Sequence, residues 1–206
     1  KDFYIKTAHN CFCSGNFSND YVDTCAIENC ASYGVRALDM QIFSMNHVPV
    51  IATNSINTNL YKQTYNSIPL KAGLSKINDV YRNENFYGTI SNTLKNDPLF
   101  LIFRIHYDTN VDYKKDNSST RVKKKQIRFY NKIYDVVLSQ FNLSQLASSD
   151  YRNDTNALRD RGSKIGNLTM KSLSDKVFIF VILNDEKDYD AIRSSKLNRI
   201  VDLYGN

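Results

Sequence analysis

The stretch PLFLIFRIH, residues 98–106, decides the fold class. Such a nearly continuous apolar run is typical of a strand that is buried on both faces, as in parallel sheets covered by helices. A second run of this kind, KVFIFVIL, spans residues 176–183. Patterns with helical spacing separate the strands. We therefore expect an α/β fold in which right-handed crossovers join the strands of a parallel sheet.

The rest of the chain alternates between strand and helix patterns. Further strands are predicted over residues 3–8, 35–43 and 48–53, with a turn at Asn46 and His47. Helices are predicted from about residue 20 to Gly34, and over residues 70–81, 120–141 and 195–204. Residues 150–167 form a long polar connection.

Composition restricts the class of protein. The chain has 206 residues, 42% hydrophobic and 23% charged, as expected of one globular domain. No run approaches the roughly 18 apolar residues of a membrane span. The formal net charge of +6 predicts a partner that carries phosphates. Four cysteines without a usual zinc-site spacing favour reduced thiols and an intracellular location.

Polar side chains interrupt the apolar pattern near the carboxyl ends of the strands. Ligand sites of parallel α/β sheets form at that edge. Four segments contribute there: His9 and Asn10, Asp39 and Gln41, Thr53, and Arg104 with His106. We expect these segments to converge on one site.

The same segments, in the same order, resemble the X domain of phosphoinositide-specific phospholipase C. The similar motifs are TAHN (7–10), GVRALDMQ (34–41), PVIAT (49–53), DPLFLIFRIH (97–106) and SLSDKVFIFV (172–181). They cover about residues 3–183, and the narrower likeness is to X-domain-like proteins of large DNA viruses. The resemblance implies one domain, residues 1–206, with a phospholipase-C-like (β/α) TIM barrel or its amino-terminal half.

A closed TIM barrel usually takes about 250 residues, and this chain shows about four strand–helix units. The X domain supplies the first half of the barrel in the family that the chain resembles. We therefore expect the barrel to be completed by further residues of the protein or by another chain.

The family that the chain resembles cleaves a phosphodiester with two histidines as acid and base, and many members use Ca²⁺ to stabilise charge on phosphorus. By this resemblance, His9 corresponds to the first catalytic histidine, and Asn10 and Asp39 to calcium ligands. Gln41 replaces a carboxylate ligand of the family. The resemblance thus implies a degenerate calcium site of Asn10, Asp39 and Gln41, with no cofactor, or with Ca²⁺ only if this set still binds it.

Two further positions depart from the family pattern. Thr53 stands where the second catalytic histidine belongs, and it cannot transfer protons near neutral pH. Arg104 occupies the position of another acidic calcium ligand, although a guanidinium cannot bind Ca²⁺. Losing one of two acid/base groups typically costs about 10²- to 10⁴-fold in rate.

Arg104 and His106 each allow two interpretations. Arg104 can offer positive charge to a bound phosphate, as in metal-free bacterial relatives, or it can form a structural ion pair with Asp39. His106 lies on the same side of the strand as Arg104, two residues later. It can replace the missing second histidine, or it can be a hydrogen-bonded structural residue.

A basic cluster begins the helix predicted over residues 120–141: Arg121, Lys123, Lys124, Lys125 and Arg128. It can attract an anionic lipid head group, a membrane surface or nucleic acid, or it can be a solvated helix face. In the first interpretation Lys123, Lys124 and Lys125 bind phosphate together with Asn10, Gln41 and Thr53. Nucleic acid is less favoured, because no recognised nucleic-acid module is present.

The sequence therefore favours a phosphoric diester hydrolase scaffold that is inactive or impaired. Such a pseudoenzyme would bind phosphate or a membrane, or assemble with partner chains in a virion. The alternative is an active, metal-independent phosphodiesterase that uses His9, Asp39 and Arg104, with His106 as a further candidate.

Overall fold

A computed structural model describes residues 4–55, 60–82, 96–108, 119–147, 168–183 and 186–205. The strands in these ranges are β1 (Thr7–Ala8), β2 (Ala37–Met45), β3 (Val48–Ala52), β4 (Ile68–Pro69), β5 (Leu99–His106), β6 (Val177–Leu183) and β7 (Leu203–Gly205). The helices are α1 (Ala26–Ser32), α2 (Leu70–Arg82), α3 (Ser119–Gln140), α4 (Met170–Leu173), α5 (Glu186–Arg193) and a 3₁₀ helix (Lys196–Arg199). The polar connection predicted over residues 150–167 lies outside the described residues.

The strands form one seven-stranded sheet in the order β4-β3-β2-β5-β6-β7, and β1 pairs with β2. The pairs β1–β2, β2–β5, β5–β6 and β6–β7 are parallel. The sheet is mostly parallel, as predicted, except that β3 and β4 are antiparallel to their neighbours. The cause is the turn at Asn46 and His47, both with positive φ: a two-residue hairpin turn cannot make the crossover that a parallel pair needs.

One face of the sheet forms the main hydrophobic core with the helices. Leu38 and Met40 of β2, Leu101 and Phe103 of β5, and Ile179 and Val181 of β6 are fully or almost fully buried there against residues of α2 and α3. The alternation of side chains along each strand places the residues between them on the other face. That second face carries the polar residues of the candidate site.

A smaller apolar layer closes the second face below the site. Phe100 and Phe178 stack with ring centroids 5.1 Å apart, beside Ala37 and Leu173. Asp39 lies two residues beyond Ala37 on the same face of β2, and Arg104 lies four beyond Phe100 on β5. The site therefore rests on packed aromatic rings.

Two predicted helices differ in the structure. Helix α1 begins at Ala26, not near residue 20, because the carboxylate of Asp20 accepts hydrogen bonds from the backbone N–H groups of Asn16 and Tyr21 and closes a loop there. The helix ends before Gly34, as predicted, and Gly34 has a φ of 72°.

The predicted final helix over residues 195–204 is wrong over most of its length. A short 3₁₀ helix is followed by β7, which pairs with β6. The Asp202 backbone N–H donates to the carbonyl of Ile179, and the Asp202 carboxylate accepts from the Ile179 N–H. The backbone N–H and carbonyl of Ile179 are thereby hydrogen-bonded. These bonds stabilise an extended chain at β7 in place of the helix that the spacing of apolar residues predicts.

Within the described residues the sheet is open, with β4 and β7 at its edges. No helix of the described part of the chain is long and apolar enough to cross a membrane.

Candidate functional site

Asp39 is the centre of the site, because one of its carboxylate oxygens contacts a histidine and the other contacts an arginine. His9 Nδ1 lies 2.7 Å from Asp39 Oδ2, and Arg104 Nε donates to Asp39 Oδ1 at 2.8 Å. The carboxylate can only accept, so Nδ1 carries the proton of His9. The register of the sheet explains the arrangement, since β1 pairs Ala8 with Leu38 and thereby brings His9 level with Asp39.

Arg104 is buried, and its side chain is committed to neighbouring groups of the protein. Its terminal nitrogen Nη2 donates to Asn10 Oδ1 at 2.5 Å and lies 3.5 Å from His9 Nδ1. The side chains of Arg104 and Asp39 are only 8% and 11% exposed, so solvent screens their ion pair weakly. Of the two interpretations of Arg104, the pairing with Asp39 is the arrangement observed.

Gln41 and Asn10 form the second half of the network. Gln41 Nε2 donates to Asn10 Oδ1 at 3.0 Å and to the carbonyl of Asn54 at 3.1 Å. Asn10 has a φ of 50°, a left-handed conformation that asparagine tolerates better than most residues. Two buried polar atoms, Asn10 Nδ2 and Gln41 Oε1, have no hydrogen-bond partner among the described residues.

Thr53 lies beside this network and secures a loop. Its hydroxyl donates to the carbonyl of Phe17 at 2.8 Å, and the Phe17 ring meets His9 edge-on with centroids 5.4 Å apart. A Cβ on Gly15 would lie 2.1 Å from a carboxylate oxygen of Asp20, so a larger residue there would displace the carboxylate that closes the loop. Thr53 thus places an aromatic wall next to His9.

His106 is 1% exposed and lies flat on Phe43, with ring centroids 4.5 Å apart and an interplanar angle of 8°. It is on the same face of β5 as Arg104, as predicted, but one residue pair farther along the strand. His9, by contrast, keeps 53% of its side chain exposed.

The structure brings together His9, Asn10, Asp39, Gln41 and Arg104. The predicted phosphate-binding residues Lys123, Lys124 and Lys125 lie on α3, whose buried side faces the core.

Cys11 connects the site to the core below it. Its backbone N–H donates to the carbonyl of Asp39 at 2.9 Å, and its side chain is 3% exposed. Burial raises the pKa of the Cys11 thiol well above its ordinary value, with Cys30 and Asp39 raising it further. Cys11 is therefore a neutral packing residue at neutral pH.

Sequence reasoning missed Phe17 and Asn54. Phe17 follows the TAHN motif by seven residues in a polar loop, and Asn54 directly follows Thr53. Neither position belongs to a pattern of apolar residues with helix or strand spacing. The sequence did offer one signal for the left-handed backbone of Asn10, since Asn is enriched at positions with positive φ.

No family model and no curated protein matches the sequence. Among solved structures, a calcium-dependent phosphoinositol-specific phospholipase C from a Pseudomonas species superimposes with a TM-score of 0.54 at 15% identity. That match covers 97% of this chain and 63% of the other. The fold is that of a phosphoinositide-specific phospholipase C. The structural similarity confirms the predicted fold class, and at 15% identity it shows the fold alone.

S. officinalis PLC21 and L. pealei PLC21 show the same phospholipase C fold, each with a TM-score of 0.54, at 12% and 14% identity. Each match covers 86% of this chain. The chain spans only 18% of the length of these two proteins and 63% of the bacterial phospholipase C.

Proposed function

We propose that the chain binds a phosphoester head group at His9, without the calcium-dependent turnover of the proteins that it resembles. One observation carries the proposal: the closed hydrogen-bonded group of His9, Asp39, Arg104 and Asn10. The charge of Arg104 is already balanced by Asp39, so the exposed edge of His9 is the group left to meet a ligand.

His9 is suited to contact an anionic oxygen. With Nδ1 turned to Asp39, the opposite nitrogen, Nε2, points away from the carboxylate, and the ring is half exposed. A protonated imidazole next to Asp39 donates from Nε2 to a phosphoryl oxygen. Asn10 lies in the same network, because its Oδ1 accepts from Arg104, but its Nδ2 is buried and therefore not a contact for the ligand.

The side-chain oxygens of the site do not fit Ca²⁺, the ion on which the similar phospholipase C from a Pseudomonas species depends. Both oxygens of Asp39 already face His9 and Arg104, and Asn10 Oδ1 accepts from Arg104 and Gln41. Ca²⁺ needs six to eight oxygen ligands, and a guanidinium among them repels the ion. Binding of a ligand here is therefore proposed to be independent of calcium.

Acid/base chemistry is also incomplete in this proposal. Thr53 donates to the Phe17 carbonyl, and His106 is buried against Phe43. Neither residue is therefore placed to act as the second acid/base group beside His9. A single histidine supports binding better than two-step cleavage.

A second candidate function is metal-independent phosphodiester cleavage. The observation in its favour is the short His9–Asp39 contact, because a carboxylate that orients an imidazole is the arrangement of a general base. In that case the guanidinium of Arg104 would take over the charge stabilisation that a metal provides.

The proposal is tested by titrating the protein with inositol 1-phosphate, with the affinity measured by calorimetry and the imidazole signals of His9 followed by NMR in the unaltered protein. We expect a shift of the His9 signals that is the same with Ca²⁺ and with chelator, and no binding by His9→Ala. His47→Ala, which changes a histidine at the β2–β3 turn, is the matched control. Equal binding by His9→Ala and the unaltered protein would overturn the assignment of the site.

The likeness to X-domain-like viral proteins, and a place in a virion, stay predictions. The similar solved structures named above come from S. officinalis, L. pealei and a Pseudomonas species. The virion role is tested separately, by looking for the chain in purified particles.

A further inference from the structure

The exposed side of α3 carries a stripe of positive charge, which we call the basic stripe. Its members recur about once per helical turn, at residues 121, 124–125, 128 and 132, and therefore lie on one side of the helix. They are Arg121, Lys124, Lys125, Arg128 and Lys132. Lys123 lies about 200° around the helix from Arg121 and is not part of it.

The opposite side of α3 is buried. Val122, Phe129, Ile133 and Val137 face the protein and are at most 2% exposed. The sequence contains no acidic residue from Ser119 to Tyr134. This part of α3 therefore carries side-chain charge of one sign only, over about three turns.

The basic stripe lies near the carboxyl end of the sheet, the end at which the candidate site also lies, although α3 packs on the opposite face. Lys132 Nζ donates to the carbonyl of His47 in the β2–β3 turn at 2.8 Å. Tyr107, directly after β5, packs on Phe129 with ring centroids 5.2 Å apart. Beyond its carboxyl end α3 leads to Leu146, which bridges to the first residue of β6, so the stripe occupies the half of the helix nearer the site.

An apolar tip adjoins the stripe. Met45 and Val48, on either side of the Asn46–His47 turn, are 42% and 48% exposed. The Lys132 bond to His47 places the end of the stripe directly beside them. A row of cations next to exposed apolar side chains is the combination that binds the surface of an anionic bilayer.

We propose that the basic stripe and the apolar tip, Met45 and Val48, form a docking surface for an anionic lipid membrane. The stripe binds the lipid phosphates and carboxylates, and the tip enters the boundary between head groups and acyl chains. Nucleic acid fits the stripe alone, since it offers no hydrocarbon layer in which Met45 and Val48 can be buried. The inference stands whether or not His9 binds a phosphoester, because it uses different residues.

The test is co-sedimentation of the whole chain with vesicles of phosphatidylcholine alone or mixed with phosphatidylserine. Vesicles without phosphoinositides keep the candidate site out of the measurement. We expect binding only to the anionic vesicles, and weaker binding at higher salt. Each cation near an anionic leaflet contributes about fivefold, so Lys124→Gln with Arg128→Gln should weaken binding ~25-fold.

Matched controls separate this surface from the overall charge. Lys6→Gln with Lys171→Gln removes the same charge from exposed residues near the amino ends of β1 and β6, and should leave binding unchanged. Met45→Thr with Val48→Thr should weaken binding to anionic vesicles, whereas Leu143→Thr with Met170→Thr should not. Thermal unfolding checks that every variant is folded.

Three outcomes overturn the inference. One is equal loss of vesicle binding in the stripe variant and in the Lys6 and Lys171 control. Another is equally tight binding to vesicles of phosphatidylcholine alone. The third is tighter, stripe-dependent binding to duplex DNA than to anionic vesicles, which would identify nucleic acid as the partner.

Discussion

Asp39 joins Arg104 to His9: Arg104 Nε lies 2.8 Å from Asp39 Oδ1, and Asp39 Oδ2 lies 2.7 Å from His9 Nδ1. A cation that belongs to the chain thus occupies the position where the resemblance implies a metal ligand. The same bonds that balance the charge of Arg104 also fix the orientation of His9. We therefore expect stability and the proposed ligand binding to depend on the same carboxylate.

Asp39→Asn should strongly destabilise the protein, because it leaves the buried guanidinium of Arg104 without its counter-ion. Breaking one side of a buried pair costs about 3–5 kcal/mol. Asp97→Asn is the matched control, since the Arg36–Asp97 pair is more exposed and should cost about 1 kcal/mol or less. Urea unfolding of both variants measures the difference, and equal losses would contradict the structural role of Asp39.

Calcium should leave the stability of the unaltered protein unchanged. We expect the same thermal midpoint with millimolar Ca²⁺ and with chelator, since Asp39 and Asn10 already bind protein donors. The double variant Gln41→Glu, Arg104→Glu places two further carboxylates beside Asp39. It should be less stable with chelator and recover stability as Ca²⁺ is added, by about 2.7 kcal/mol at 100 times its Kd. A calcium-dependent midpoint in the unaltered protein would refute this account of the site.

Asp20 should stabilise the loop beside His9 in a pH-dependent way. Hydrogen bonds from the backbone N–H groups of Asn16 and Tyr21 lower the pKa of Asp20 below its ordinary value. A lowered folded-state pKa means stability that is present above the unfolded pKa of about 3.9 and is lost as pH falls through the folded value. The stability difference between the unaltered protein and Asp20→Asn should thus be constant near neutral pH and shrink below about pH 4.

Urea midpoints measured from neutral to acidic pH test this prediction for Asp20. Asp190→Asn, which changes an exposed carboxylate on α5, is the control. A stability difference for Asp20→Asn that grows towards acidic pH would contradict the assigned sign.

Asp202→Ala should loosen β7 from the sheet. The Asp202 carboxylate is 4% exposed and accepts the Ile179 N–H at 2.8 Å, so its loss leaves a buried donor unpaired. We expect a cost of about 2 kcal/mol. Hydrogen exchange should show faster exchange at the Ile179 amide, whereas Asp190→Ala should leave that amide protected.

The central strands could be predicted from sequence because burial on both faces leaves a direct pattern. The run at residues 98–106 contains β5, and the run at residues 176–183 contains β6. The edges of the sheet could not be predicted in this way. Pairing at the edge strand β7 depends on the backbone of β6, which lies far in the sequence from the helical spacing at residues 195–204. The Asp202 carboxylate, for example, meets the Ile179 N–H, 23 residues away.

Part of the site could also be predicted, because it lies at the ends of the predicted strands. Parallel strands that end together bring Asp39 and Arg104 into proximity, and the two interpretations of Arg104 followed from its charge. The position of Phe17 depends on a loop closed by Asp20, and a loop of this kind leaves no periodic signal. The bond between Gln41 and Asn10 depends on the left-handed backbone of Asn10, which the identity of that residue permits but does not require.

Cleavage of phosphatidylinositol by the purified chain, with excess Ca²⁺ and with chelator and beside His9→Ala, tests the central claim most directly. The account predicts no His9-dependent release of a phosphorylated inositol in either condition, together with binding of inositol 1-phosphate. Turnover that requires Ca²⁺ would contradict the proposed calcium independence. Turnover that survives chelation and is abolished in His9→Ala would contradict the binding role and establish the metal-independent phosphodiesterase.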